Sequence, residues 1–320
     1  MWKISIALCT YNGERFIEEQ LESIFNQTIL PNEIIICDDQ STDSTVLLLE
    51  KLKNKSNIPI KIYINQENLG YIKNFEKCIG LCDGDIIYLA DQDDYWIENK
   101  IETTLKEFNK NPNLQILFTD ATLVDDNLQP LPGMLWGNLS FDPLRFPTDR
   151  QGRIGYLCKR SIATGATMAI KKELYFESIP FSKDFVHDEW LLWNAIIKNK
   201  EFKPLNKPLI AYRQHASNQI GVKKLQLTNL LKSSRDLEKH ITKNSFLIQY
   251  VRKNYCSEKE VSYLIERLEF LESRNALFNN RVFRLGQLIM KFLFDKKYNL
   301  KNYSTFFNGK KTIFSDLFRK

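Results

Sequence analysis

The sequence predicts an α/β protein with a mostly parallel sheet and a helical C-terminal region. Strand and helix signals alternate through the first 120 residues. Three of the predicted strands end in clusters of polar residues rather than in simple turns. From Lys224 onward the pattern is helical and rich in Lys, Arg and Asn. Repeated βαβ units imply parallel pairing with helices on both faces of the sheet.

The elements follow in chain order. Ile4–Cys9 is an apolar strand, and Glu14 to Asn26 is a helix with Phe16, Ile17, Leu21, Ile24 and Phe25 on one side. Glu33–Cys37 is the second strand. Ser41-Thr42-Asp43-Ser44 is rich in capping residues and opens the next helix, with Asp43 as a cap. Ile60–Ile64 is the third strand, and a helix is expected over Gly70 to Leu81. Ile86–Leu89 is the fourth strand, followed by a helix from about Asn99 to Asn109 and a fifth strand at Gln115–Thr119. Residues 130–160 hold Pro130, Pro132, Gly133, Gly137, Pro143, Pro147, Gly152 and Gly155, and read as a long irregular connection of the kind that serves as a lid. Residues 164–175 return to strand and helix, and His187 to Lys198 is a helix. Two domains are expected, residues 1–221 and a basic helical region at 222–320.

Composition narrows the class. Apolar content of 43% and charged content of 26% are ordinary for a globular protein. No apolar run approaches the roughly 20 residues that span a bilayer. The N-terminus runs straight into a strand, so no secretory leader is expected. The six cysteines lack zinc-type pairs, and several lie in apolar runs. Buried reduced thiols in a cytosolic protein explain them. The net charge of +6 is uneven: residues 221–320 carry +12, from 21 basic and 9 acidic side chains, and residues 1–220 carry −6. A basic tail suits an anionic partner such as a membrane surface or a lipid diphosphate; a solvated helical face is the plain alternative. Phe292-Leu293-Phe294 with Lys291, Lys296 and Lys297 is basic and amphipathic. No nucleic-acid recognition motif is present, so nucleic acid is not an expected partner.

The fourth strand ends in Asp91-Gln92-Asp93-Asp94-Tyr95-Trp96. Carboxylates this close repel one another. A hard divalent cation, Mg²⁺ or Mn²⁺, would hold them together. An acidic turn capping the next helix is the bland alternative. The first strand ends in Cys9-Thr10-Tyr11-Asn12-Gly13 and the second in Asp38-Asp39-Gln40-Ser41-Thr42-Asp43. Ligands of parallel α/β sheets bind beyond the carboxyl ends of the strands, so the three clusters should converge. Four further patterns stand out: Asn68-x-Gly70-x-x-x-Asn74-Phe75, Thr164-Gly165-Ala166-Thr167, His187-Asp188-Glu189-Trp190, and Tyr212-Arg213-Gln214-His215-x-x-Asn218-x-x-Gly221.

Across roughly residues 3 to 221 this set resembles the family 2 glycosyltransferases, whose nucleotide-binding half has the GT-A fold with a mixed, mostly parallel sheet. The Asp91–Trp96, His187–Trp190 and Tyr212–Asn218 patterns together look most like rhamnosyltransferase members. The resemblance implies a nucleoside diphosphate sugar donor. Thr10, Tyr11 and Asn12 would line the base and ribose pocket, and Asp38 would accept from a base N–H. Asp39, Asn68, Gly70, Asn74 and Gly165 would contact the donor or shape its loops. Asp93 would ligate the metal, joined by Asp91 (or Asp91 reaches the ribose) and by His215, while Arg213 would pair with phosphate. Asp188 would be the catalytic base of an inverting transfer, oriented by His187 or Glu189. Asp94, Trp96, His187, Glu189 and Trp190 would lie on the acceptor side. For Asp188 and Glu189 the plain alternative is that first-turn acids complement the helix dipole.

The resemblance thus implies metal-dependent transfer of one sugar, L-rhamnose from dTDP-L-rhamnose being the best match, to a hydroxyl of a cell-surface polysaccharide or lipid-linked glycan. The implied place is the cytoplasm, peripheral at the inner face of the cell membrane. The same fold with a UDP-hexose or UDP-N-acetylhexosamine donor is the first rival. A nucleotidyltransferase would carry a glycine- and arginine-rich phosphate loop after the first strand, which this chain lacks. A non-catalytic glycan- or membrane-binding scaffold would have lost a key carboxylate, yet Asp38, Asp93 and Asp188 are all present.

Overall fold

The computed structural model describes residues 2–158, 160–215, 234–254 and 258–279. The chain divides into two compact units, residues 1–145 with 162–222, and residues 146–161 with 223–320. In chain order the elements are β1 (Ile4–Thr10), α1 (Ile17–Phe25), β2 (Glu33–Asp38), α2 (Thr45–Lys55), β3 (Ile60–Ile64), α3 (Gly70–Leu81), β4 (Ile86–Ala90), β5 (Tyr95–Trp96), α4 (Lys100–Lys110), β6 (Leu114–Val124), β7 (Pro130–Met134), α5 (Leu135–Asn138), α6 (Arg150–Leu157), β8 (Met168–Lys171), α7 (Lys172–Ser178), α8 (His187–Ile197), β9 (Glu201–Arg213), α9 (Ser234–Asn254) and α10 (Glu258–Asn279). Helices α6, α9 and α10 belong to the second unit.

One sheet organises the first unit, in the order β3-β2-β1-β4-β8-β6-β9-β5, with β7 pairing β6 off this path. β3, β2, β1 and β4 are parallel. β8 runs antiparallel between β4 and β6. β9 is parallel to β6, and β5 antiparallel to β9. The sheet is therefore mixed and mostly parallel, as the sequence predicts.

Local sequence explains the central strands. Ile34, Ile35 and Ile36 of β2 are all fully buried, so both faces of this strand are covered. Each such side chain contributes about 1.5–3 kcal/mol of burial. α3 turns Asn74, Phe75, Cys78 and Ile79 inward at helical spacing. Cys37, Cys78 and Cys82 are buried and free, and burial pushes the Cys9 thiol up to about 11. Asp43 accepts from the Thr45 amide at the start of α2, at 3.0 Å, as its capping role requires. Among the described residues no helix is long and apolar enough to cross a membrane.

Two features depart from the sequence reading. Residues 130–160 are not one irregular connection: they hold β7, α5, a short 3₁₀ turn at Pro143–Arg145, and α6. Pro130, Pro132 and Gly133 are tolerated in β7 because that strand pairs on one side only. β9, with its interleaved Lys, Pro and Asn, gives no apolar alternation, yet it pairs along most of β6. In the second unit α9 and α10 pack on each other through buried Leu247, Val251, Leu264, Phe270 and Leu271. Arg267 is buried there, donating to Asn244 Oδ1 and to the Cys158 carbonyl, both at 2.7 Å. The Phe292–Phe294 segment, Asn218 and Gly221 lie outside the described residues.

Glu33 ties three strand ends together. It accepts from Ser5 Oγ at 2.7 Å, from the Asp83 amide at 2.6 Å and from Lys61 at 3.1 Å. Burial alone would raise its carboxyl, but these donors outweigh it and hold the group below the usual range. Lys61 is half exposed, so most of the effect belongs to the hydrogen bonds rather than the ion pair. A lowered folded-state value contributes stability above the unfolded carboxylate range, lost as pH falls through the folded value. Glu33→Gln should therefore cost about 1–3 kcal/mol at neutral pH. It should also flatten the acid limb of stability against pH, read from urea melts at stepped pH. An unchanged acid limb would show that Glu33 does not carry it.

Candidate active site

The parallel register sets Thr10 beside Asp38, at the carboxyl ends of β1 and β2. Asp38 is fully enclosed. It accepts from Thr10 Oγ1 at 2.7 Å, from the Ser41 amide at 2.8 Å and from Ser41 Oγ at 2.6 Å. Its carboxylate fastens the two loops to each other. Asn12 is left-handed, with φ of 48°, and its Oδ1 accepts from the Thr42 amide at 2.8 Å. Tyr11 is the exposed aromatic of this group, at 39%. Its backbone is clamped by Gln92, which accepts from the Tyr11 amide at 2.8 Å and donates to the Tyr11 carbonyl at 3.0 Å. The β1 loop and the acidic turn are thus joined directly.

Asp39 organises the start of α3. Its carboxylate accepts from the Leu69 amide at 2.8 Å, the Gly70 amide at 2.9 Å and Asn65 Nδ2 at 2.7 Å. Asn68 donates to the Asp39 carbonyl at 3.1 Å. Gly70 has φ of 75°, a conformation that disfavours any side chain. Asn74, expected near the donor, is a core residue: it donates to the Cys37 carbonyl and accepts from Asn65, both at 2.9 Å.

The acidic turn joins β4 to β5. Asp94 is buried, and Oδ1 accepts from the Arg213 amide at 3.0 Å. Burial, with Asp93 and Asp91 nearby, pushes its carboxyl well above the usual range. Burial, then the charges of Asp93 and Asp188, pushes Asp91 up to about 7. His215 Nε2 lies 2.8 Å from Asp93 Oδ2. Arg213, expected on phosphate, is fully buried instead. It donates to the Asp93 carbonyl at 2.7 Å, to the Asp126 carbonyl, and to Glu19 at 2.6 Å. Phe16 lies under both residues, 4.3 Å from the guanidinium and 4.9 Å from the His215 ring. Arg213 therefore braces the turn from behind.

Two tryptophans expected on the acceptor side are core residues. Trp96 is fully buried against Lys100 and Tyr88. Trp190 is buried and donates to the Ser178 carbonyl at 2.8 Å. Trp96 lies in β5, paired with Ile210 of β9, and Trp190 lies in the first turn of α8; both large rings are driven inward by their apolar area.

Asp188 sits in the first turn of α8, with 9% exposure. Its Oδ2 accepts from the Gly165 amide at 2.8 Å and Oδ1 from the Glu189 amide at 2.6 Å. Glu189 is half-buried beside it. His187 does not bond Asp188. It stacks on Phe75 at 3.9 Å, and neither ring nitrogen has a partner. Burial pushes its pKa down to about 3, so the ring is neutral.

Among the described residues no three His, Cys, Asp or Glu side chains are grouped for a metal ion. The chemistry of the donor set nevertheless fits a hard cation. Asp91, Asp93 and His215 offer oxygen and imidazole ligands. Asp91 is raised first by burial and then by the charges of Asp93 and Asp188, and a cation would relieve that second part.

Comparison with known proteins bears on this geometry. Residues 5–175 match the family model Glycosyl transferase family 2, and the chain belongs to that family. It is a glycosyltransferase, and the fold and class are those the motifs imply. It is 32% identical over 232 residues to the dTDP-rhamnosyl transferase RfbG of Shigella flexneri, covering 67% of this chain and 73% of that one. It is 26% identical over 215 residues to the UDP-Glc:alpha-D-GlcNAc-diphosphoundecaprenol beta-1,3-glucosyltransferase WfgD of Escherichia coli, covering 67% and 77%. Its fold is similar to that of S. aureus TarS 1-349 in complex with UDP-GlcNAc, with a TM-score of 0.61 at 16% identity over 98% of this chain and 89% of that one. The mannosyltransferase PcManGT from Pyrobaculum calidifontis, in complex with GDP-Man and Mn²⁺, gives a TM-score of 0.53 at 15% identity, over 98% and 86%.

Several residues of the site gave no sequence signal. Gln92 and Glu19 act through contacts made by distant loops, and Lys100 looks like any surface lysine opening a helix. Gly165 is different, because its neighbour is rigid. A Cβ there would lie 2.5 Å from Nε2 of His187, which Phe75 pins in place. Gly165→Ala should destabilise by about 1–3 kcal/mol in thermal melts. The double variant Gly165→Ala/His187→Ala should cost less than the sum of the singles. Strict additivity would mean the two positions are not in steric contact.

Proposed function

We propose that this glycosyltransferase moves one sugar, with inversion, from a nucleoside diphosphate sugar to a hydroxyl of a cell-surface polysaccharide or lipid-linked glycan. The observation that carries the reading is Asp188, aimed by the Gly165 amide and electrically coupled to the acidic turn. A carboxylate held at a helix start by backbone donors, here the Gly165 and Glu189 amides, keeps the orientation a general base needs. The favoured donor is dTDP-L-rhamnose. The likeness to a dTDP-rhamnosyl transferase over most of that protein supports it.

The roles follow from the placement. Tyr11 offers its exposed ring to the base, beside Thr10 and Asn12. Asp38 and Asp39 hold the loops that surround base and ribose. Asp93, Asp91 and His215 would hold a divalent cation, Mg²⁺ or Mn²⁺, which when bound neutralises the leaving diphosphate. Arg213 keeps the Asp93 backbone in place. Asp188 takes the proton from the acceptor hydroxyl as that oxygen attacks the anomeric carbon, and Glu189 flanks the acceptor. Holding the reactants in line supplies much of the acceleration.

Residues 1–221 carry the chemistry in this reading. Residues 222–320, strongly basic, face an anionic surface: the cytoplasmic leaflet and a lipid-linked acceptor fit that charge.

A thermal-shift panel tests the reading, with dTDP-L-rhamnose, UDP-glucose, UDP-GlcNAc and GDP-mannose, each with Mn²⁺, Mg²⁺ or EDTA. Metal-dependent stabilisation is expected, largest for dTDP-L-rhamnose. Asp93→Asn should abolish it. Asp188→Asn should keep it while turnover drops by about 10²–10⁴. A shift with one UDP-sugar alone would replace the donor, as the likeness to a UDP-Glc-dependent enzyme would favour. Full turnover in Asp188→Asn would sink the base assignment.

A further inference from the structure

Lys100 opens α4 and is completely buried. Its ammonium donates to the Ala166 carbonyl at 2.8 Å and lies 3.6 Å from the centre of the Trp96 ring. The negative charges that act on it are those of Asp94 and Asp91 in the acidic turn. A cation with no exposure is costly to place unless its partners are fixed around it.

The carbonyl it holds belongs to a closed turn. The amide and the hydroxyl of Thr167 both return to the Thr164 carbonyl, at 2.9 and 2.8 Å. Gly165 and Ala166 sit inside that closure, both buried. The Gly165 amide is the donor to Asp188 Oδ2. A short chain of hydrogen bonds therefore runs from Lys100 through the Ala166 carbonyl and the Gly165 amide to Asp188, with the charges of Asp94 and Asp91 acting on Lys100. Both hydrogen bonds of this chain are short and enclosed, so a shift of Lys100 is transmitted rather than absorbed.

We propose that Lys100 is a positioning residue for sugar transfer: it anchors the Thr164–Thr167 turn and so sets the Asp188 carboxylate relative to the acidic turn. The inference rests on the reading of Asp188 as the base. It assigns Lys100 no contact with donor, acceptor or the reacting atoms. Loss of the anchor should disturb orientation more than binding. A small displacement of a reacting group can cost about a hundredfold in rate.

The test is Lys100→Met, which keeps the chain length and removes the charge and the donor. Gly165 is the glycine that follows a threonine in this chain, so ¹³C′-Thr/¹⁵N-Gly labelling isolates its amide. Upfield movement of that amide proton is expected as its bond to Asp188 lengthens. With the donor found in the panel, kcat should fall about a hundredfold while donor KM and Mn²⁺-dependent binding of dTDP or UDP stay unchanged. Removing Lys100 leaves buried acid uncompensated, so Lys100→Met/Asp94→Asn is the second variant. It should move the Gly165 amide, whereas Asp94→Asn alone should not. An unmoved Gly165 amide in a folded variant lacking Lys100 would overturn the proposal, whatever happens to turnover. A moved amide with unchanged kcat would also overturn it. The spectrum needs no turnover, so failure of the Asp188 reading would be seen separately, as wild-type rates in Asp188→Asn.

Discussion

Three carboxylates on four consecutive residues are held in one turn, and the site depends on how that repulsion is contained. Two buried cations do it from behind. Arg213 grips the Asp93 backbone, and its own amide satisfies Asp94. Lys100 adds positive charge near Asp94 and Asp91, although burial pushes its own pKa down to about 7. Neither cation is exposed. Buried charges lacking partners are expensive, so the turn, the C-terminal end of β9 and the start of α4 are fixed as one body. The charge that remains is what a divalent cation would neutralise in the proposed reaction.

The loops around the turn are fixed by another means, dense internal hydrogen bonding. Asp38 draws Thr10 and Ser41 together, Asp39 fastens Leu69 and Gly70, and Gln92 clamps the Tyr11 peptide. These polar groups do not wait in solvent for a ligand. They preorganise a rim from which Tyr11 projects. Preorganised loops lose little freedom on binding, which favours affinity from few direct contacts. Gly165 and Asp188 extend the same logic, the carboxylate being held by a backbone amide.

Much of this was legible because local sequence carries it. The continuous apolar runs of β1, β2 and β4 declare strands covered on both faces, and Gly70 to Leu81 declares its helix by spacing. The convergence of Thr10, Asp38 and the Asp91–Asp94 turn follows from parallel pairing alone. Less legible were residues whose neighbours come from far along the chain. Trp96, Trp190 and Asn74 looked equally suited to a pocket or a core, and packing put them in the core. Arg213 looked like a phosphate ligand until Glu19, some 190 residues away in sequence, took one of its nitrogens. β9 was hidden because an edge-ward strand beside a polar rim needs no apolar alternation.

The sequence by itself determined the architecture, the family and the carboxylates that meet at the strand ends. Periodicity and motif spacing are local properties, and parallel topology converts them into a place. Only the tertiary structure decided which polar groups face a ligand and which face each other. That choice depends on distance, burial and the supply of donors from other elements. So Asp38 closes on Thr10 and Ser41, His187 becomes a neutral core ring, and Lys100, unremarked in the sequence, lies between the acidic turn and the turn that aims Asp188.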